Sequence, residues 1–174
     1  ITEEQCISLL LDQGARGIVF VSGLHADSAA DHQRYEELRA RGIAQVFVNG
    51  HAEDVEGTFI SIDEDSVIDV SGRHLISLGL QRIGLAVGPR RFLPSQRRAT
   101  AFEDALRNLV GVSNPEQHVV HTLYTLEGGQ AAATTLLESG HTAIVCGSDL
   151  MALGAIRAAR ALGLRVPEDV SIIG

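Results

Sequence analysis

Short aliphatic runs alternate along the chain with longer stretches in which apolar residues return every three or four positions. The runs at 17–21, 45–48, 59–62, 83–87, 119–121, 143–146 and 170–173 read as strands. Most lack strict polar alternation, as expected of strands covered by helices on both faces of a parallel sheet. Between them, Ala99, Phe102, Ala105, Leu106 and Leu109 share one helical stripe, and Ala152, Ile156, Ala159 and Leu162 share another. Thr2 and Gln5 have the spacing of a capping box, Asp149 suits a helix start, and Gly14, Gly42, Gly79 and Gly163 stand where helices should stop. This strand-helix alternation predicts an α/β fold with doubly wound parallel sheets.

The alternation breaks once. Residues 51–57, between the second and third runs, are polar, acidic and too few for a crossover helix. The break predicts two lobes: the chain leaves the first at about 61–63, so that 1–62 belong to one lobe and 63–174 to the other. The first lobe opens on a helix with no strand before it, and is therefore expected to be incomplete within this sequence.

Composition narrows the function. Among 174 residues, 45% are hydrophobic and 21% charged, which describes a globular chain rather than a disordered one. A formal net charge of −8 argues against this stretch itself gripping nucleic acid, which takes clustered Lys and Arg. Cys6 and Cys146 lie far apart among aliphatic neighbours, and read as two buried thiols of a reducing cytoplasm rather than a disulfide or a metal pair. No apolar run approaches the roughly 18 residues of a membrane helix, and the amino end is amphipathic, unlike a signal peptide.

In open α/β sheets, ligands sit beyond the carboxyl ends of the strands. Those ends carry Ser22 and His25, Asn49, Gly88 with Arg90, Arg91 and Phe92, Thr122 with Tyr124, and Gly147, Ser148 and Asp149. This mixture of hydroxyl, amide, carboxylate, guanidinium and aromatic groups suits a small polar molecule such as a sugar or nucleobase. Phosphate loops, dinucleotide fingerprints, zinc-protease motifs and serine elbows are not found, so an enzyme ranks last and no cofactor is expected. His118 and His121, three apart on a strand, point to opposite faces, and no metal is assigned. Asp63, Glu64 and Asp65 read first as acids favoured at a helix start. Of Arg90, Arg91, Arg97 and Arg98, only one need face a cleft.

Three stretches add a resemblance: GRHLISLGLQRIGLAVGP at 72–89, SQRRATAF at 95–102 and CGSDLMALGAIRAARALGLRVPEDVSIIG at 146–174. They resemble the effector-binding domain of the lactose- and purine-repressor family of bacterial transcription regulators, which shares the two-lobed fold of periplasmic sugar-binding proteins. The likeness continues more weakly over 17–62. It implies that Arg98 pairs with effector hydroxyls, for which its fixed fork is suited; a solvated helix arginine is the competing reading. Ser148-Asp149 match a turn that is more often Asn-Asp or Gly-Asp, with a helix-capping role for Asp149 as the alternative. Asn49 matches a polar ligand contact, while Phe92 and Tyr124 match cleft side chains that stack on a ring, or simply pack. The usual Asp-Asn pair at the lobe joint is Asp63-Glu64 here.

The resemblance further implies a small sugar or purine-like effector bound between lobes, a homodimer, and operator DNA bound through a helix-turn-helix headpiece outside this sequence. Leu153 or Ala158 would serve the dimer surface, with core packing as the alternative for each. A periplasmic sugar receptor is the rival function.

Overall fold

Seven parallel strands form, divided between two sheets that never hydrogen-bond to each other. The computed structural model describes all 174 residues and resolves into two compact units.

Unit 1 comprises residues 1–62 and 91–94. Its first helix, α1 (Glu3–Asp12), starts where Thr2 Oγ1 accepts from the Gln5 N–H and Gln5 Oε1 accepts from the Thr2 N–H, closing the capping box. Strand β1 (Gly17–Val21), helix α2 (Gln33–Ala40), and strands β2 (Ala44–Val48) and β3 (Thr58–Ile60) follow, in sheet order β1-β2-β3. Ile7 and Leu38 of the helices meet Ile18, Phe20 and Phe47 of the strands, with fully buried Tyr35 against both phenylalanines.

One expectation changes here. Strand β1 alternates, with Ile18 and Phe20 buried while Val19 and Val21 are 62% and 65% exposed. Both helices pack on the Ile18 face, so this sheet lacks the second cover that the unbroken aliphatic run suggested. The step from β2 to its parallel neighbour β3 is made without a helix, and the coil takes the helix's place by burying Ala52 and Val55 in the core.

Unit 2 comprises residues 63–90 and 95–174. It contains α3 (Glu64–Ser77), β4 (Ile83–Val87), most of α4 (Leu93–Ala105), β5 (Val119–His121), α5 (Leu126–Glu138), β6 (Ala143–Cys146), α6 (Asp149–Ala161) and β7 (Ser171–Ile173). The order is β5-β4-β6-β7, all parallel. Strands β4 and β6 are buried along their whole length because each face has its own cover. Ile68, Leu75, Phe102 and Leu106 pack on one side, and Ala133, Leu136, Met151 and Ala155 on the other.

Helix α6 is capped by Ser148, whose hydroxyl accepts from the Met151 N–H at 3.3 Å, and Asp149 is its first residue rather than its cap. Leu162 lies past the helix and is 43% exposed, while Ala158 is core. Burial pushes the Cys146 thiol up to about 12, whereas Cys6 is only half-buried.

Beneath the amino ends of β5 and β6, His141 donates from Nδ1 to the Leu136 carbonyl at 2.8 Å. Its Nε2 therefore accepts from His118 Nδ1 at 2.9 Å. Burial above all, with His118 and Arg82 nearby, holds the His141 pKa below 6.5, although the Leu136 carbonyl favours the charged ring. The unfolded chain therefore takes up a proton at a pH where folded His141 stays neutral. Stability from this group is complete above 6.5 and is lost as pH falls toward the lowered value. Melting followed by circular dichroism should show a drop between about pH 7.5 and about pH 5.5 that His141→Gln makes smaller; an equal drop in that variant would remove His141 as its source.

Candidate functional site

Sheet order reverses between β4 and β6, since β5 continues on one side of β4 while β6 and β7 continue on the other. The carboxyl ends of strands flanking such a reversal are where open α/β sheets bind ligands. Gly88 follows the last residue of β4, and Gly147 the last residue of β6. The Tyr124 ring lies against both: a Cβ would meet it at 1.9 Å on Gly88 and at 3.0 Å on Gly147. Tyr124 is held at its hydroxyl, 2.9 Å from Oγ of fully buried Ser95, yet remains 38% exposed. His121 donates from Nδ1 to the Gly88 carbonyl at 2.8 Å and so fixes the turn beneath the ring.

Arg98 projects from α4 to the same edge. Its Nε donates to Glu64 Oε2 at 2.6 Å, its Nη2 to Glu64 Oε1 at 3.2 Å and its Nη1 to the Gly147 carbonyl at 2.9 Å. The two side chains are only 15% and 9% exposed, so this is a largely desolvated fork-to-carboxylate pair. Next to Gly147, the Ser148 oxygen is engaged as a cap acceptor while Asp149 is exposed. Unit 2 thus joins Arg98, Tyr124 and Gly147 in one constellation, with Ser148 and Asp149 adjoining it in sequence.

Asn49 and Phe92 belong to unit 1. Asn49 and Ser22 follow β2 and β1, both with left-handed backbone (φ 64° and 54°), and Asn49 Nδ2 donates to Ser22 Oγ at 3.2 Å. Non-glycine residues held in this conformation at a sheet's carboxyl edge are a recurrent feature of binding sites. Phe92 pairs its backbone with Asp27 and carries the Arg91 guanidinium 5.0 Å above its ring, while Arg91 Nε lies 3.3 Å from Asp27. His25, read from sequence as an edge group, is a core residue, fully buried, with Nε2 donating to the Val48 carbonyl.

Glu64 and Ser95 were not singled out as ligand-facing from sequence. Glu64 reads as one of three first-turn acids, and nothing in the linear order of residues ties it to Arg98, 34 positions away. One other arrangement invites a chemical reading. His32 Nδ1 meets the Asp54 carboxylate at 2.9 Å, but its Nε2 is 3.0 Å from the Leu24 carbonyl. Burial disfavours the charged ring, yet the hydrogen bonds to Asp54 and Leu24 outweigh it and raise the His32 pKa. With both nitrogens engaged, His32 has none left to act as a general base.

Residues 73–174 match the family model described as a periplasmic binding protein-like domain. An HTH-type transcriptional regulator encoded in the aml 5′ region of Streptomyces limosus is 52% identical over 99% of this chain and 50% of its own length. The HTH-type transcriptional regulator MalR of Streptomyces coelicolor is also 52% identical, over 99% of this chain and 51% of its own length. The chain therefore spans about half the length of the curated relatives it matches. Among solved structures, the transcriptional regulator CelR in complex with cellobiose superposes with a TM-score of 0.81 at 28% identity, covering 98% of this chain and 52% of that one. No helix is long and apolar enough to cross a membrane.

Proposed function

Because the chain belongs to the periplasmic binding protein-like domain family, in its branch of LacI-family regulators, we propose that it senses a small polar effector on behalf of a transcription regulator. The observation that carries this reading is the Arg98 fork beside the exposed Tyr124 ring at the β4/β6 reversal. A guanidinium and an aromatic face together hold a sugar by its hydroxyls, or a purine by its polar edge, with the flat side of the ring against the aromatic face. Ser148 and Asp149 extend this set within unit 2; in unit 1, Asn49 and Phe92 are the candidate effector contacts.

Binding, not turnover, is the assigned activity, in keeping with His32 having no free nitrogen. Occupancy alters regulation only as far as the effector binds the two regulatory states unequally. DNA recognition is assigned to a helix-turn-helix region of the whole protein, acting as a cytoplasmic homodimer. Leu153, 54% exposed on α6, is a candidate for the dimer surface.

A thermal-shift screen of sugars and purines on the intact protein tests the reading. A specific ligand at 100 times its Kd should add about 2.7 kcal/mol of stability. Arg98→Lys keeps the charge but loses the planar fork, and should weaken binding of the selected ligand at least about tenfold by calorimetry. Undiminished binding by that variant would take Arg98 out of the site.

A further inference from the structure

The state of the Arg98 guanidinium bears on which ligands the unit 2 edge accepts. A guanidinium has five N–H donors. Three are spent inside the protein, two on Glu64 and one on the Gly147 carbonyl, which leaves one on each terminal nitrogen. Arg98 therefore does not meet a ligand as a free cation. It arrives already paired with a carboxylate, and the exposures of 15% and 9% leave little water to screen the Glu64 charge from a neighbour.

The other charges at this edge favour the same outcome. Helix α3 carries Asp63, Glu64 and Asp65 at its start, α5 carries Glu127, and α6 carries Asp149. Each of these helices already has an acid at the positive end of its dipole, where an incoming anion would otherwise be stabilised. Arg90 and Arg97 are the other cations of this region, and both are exposed, so solvent ions screen them.

We propose that Glu64 sets the charge selectivity of this edge: by neutralising Arg98 it admits uncharged hydroxyl-bearing ligands and rejects phosphate and carboxylate groups. A hydroxyl can accept from a remaining Arg98 N–H and donate to a Glu64 oxygen, which retains unused lone pairs. The dianion of a phosphate monoester has no phosphate proton to give and can do only the first; inorganic phosphate can donate from its P–OH, but it too brings net negative charge against Glu64. The proposal rests on the reading of Arg98 as a ligand contact and adds Glu64 as the specificity-determining residue.

The test uses inorganic phosphate and glucose 6-phosphate as probes on the intact protein, with glucose and cellobiose as uncharged counterparts. Glu64→Gln keeps the shape of the side chain and removes its charge. The variant should bind phosphate at least about tenfold more tightly than wild type at constant ionic strength. Glu168→Gln, an exposed change elsewhere, should leave phosphate binding as it is. Equal phosphate affinity in wild type and Glu64→Gln, or an equal gain in Glu168→Gln, would overturn the proposal.

Wild-type protein supplies an arm that does not depend on the variant folding. Millimolar phosphate should leave its melting temperature unchanged, and a rise comparable to that given by an uncharged sugar would also overturn it. The reading of the site itself fails on a different result, undiminished sugar binding by Arg98→Lys, so the two failures are separable.

Discussion

Gly154→Ala should unfold unit 2 or cost it more than about 3 kcal/mol, a large penalty for adding one methyl group. Helices α5 and α6 touch backbone to backbone where Gly129 and Gly154 face each other's helix. A Cβ on Gly154 would lie 2.1 Å from the Leu126 carbonyl oxygen and 2.6 Å from the Gln130 nitrogen, and one on Gly129 would lie 2.2 Å from the Met151 carbonyl oxygen. Neither obstacle is a side chain that can swing away. The helices would have to separate, loosening the contacts among Ala132, Ala133, Ala155 and Ala159 that depend on their closeness.

The sign of the effect is diagnostic, because alanine is intrinsically the better helix former by about 1 kcal/mol. Gly72→Ala in α3 is the matched control, since its Cβ would meet only Leu109 Cδ1 at an ordinary 3.7 Å. That change should stabilise by about 0.5–1 kcal/mol. Denaturant unfolding of both variants decides the matter; a Gly154→Ala protein as stable as wild type would mean that the two helices are not in backbone contact.

Breaking the Glu64–Arg98 pair from one side should be nearly as damaging. Glu64→Leu leaves a guanidinium, and Arg98→Met leaves a carboxylate, each largely buried without its partner. Each single change should cost about 3–5 kcal/mol, whereas the double change should recover most of the loss because no buried charge remains. Urea unfolding of the four proteins gives the coupling directly. Strictly additive losses would show that water screens the pair. Effector binding should be absent from both variants that lack Arg98, so the double variant separates the stability of unit 2 from its binding activity.

Unit 2 was the more legible half. Strands β4, β5 and β6 coincide with the aliphatic runs at 83–87, 119–121 and 143–146, and Gly79 and Gly163 adopt the left-handed backbone that ends a helix. These signals are local, carried by a few adjacent residues whose sterics do not depend on the rest of the chain. The open face of β1 was not legible, because Val19 and Val21 are as apolar as Ile18 and Phe20, and only the placement of α1 and α2 on one side distinguishes them. Leu162 misled for a related reason: periodicity extends a stripe past the point where the helix stops.

The candidate site divides in the same way. Tyr124, Ser148 and Asp149 could be named from strand order, since a strand's carboxyl end is a position along the chain, and Arg98 from the family resemblance. The use to which each is put could not. Ser148 became the cap and Asp149 the first helical residue, a distinction of one position set by backbone angles. Glu64 was an ordinary first-turn acid until the β4/β6 reversal brought α3 and α4 together and placed its carboxylate on the Arg98 fork.

The amino-acid order alone determined most of the strands and helices, the glycines at which helices stop, and, His25 apart, the residues that follow the carboxyl ends of the strands. Those outcomes follow from steric and periodic rules that act over a few residues. The tertiary structure decided which sheet face is covered, which glycines allow helices to touch, and that the one buried arginine of the candidate site is already paired. Each of these depends on groups distant in the chain meeting within a few ångströms, where desolvation makes a charge or a methyl group count.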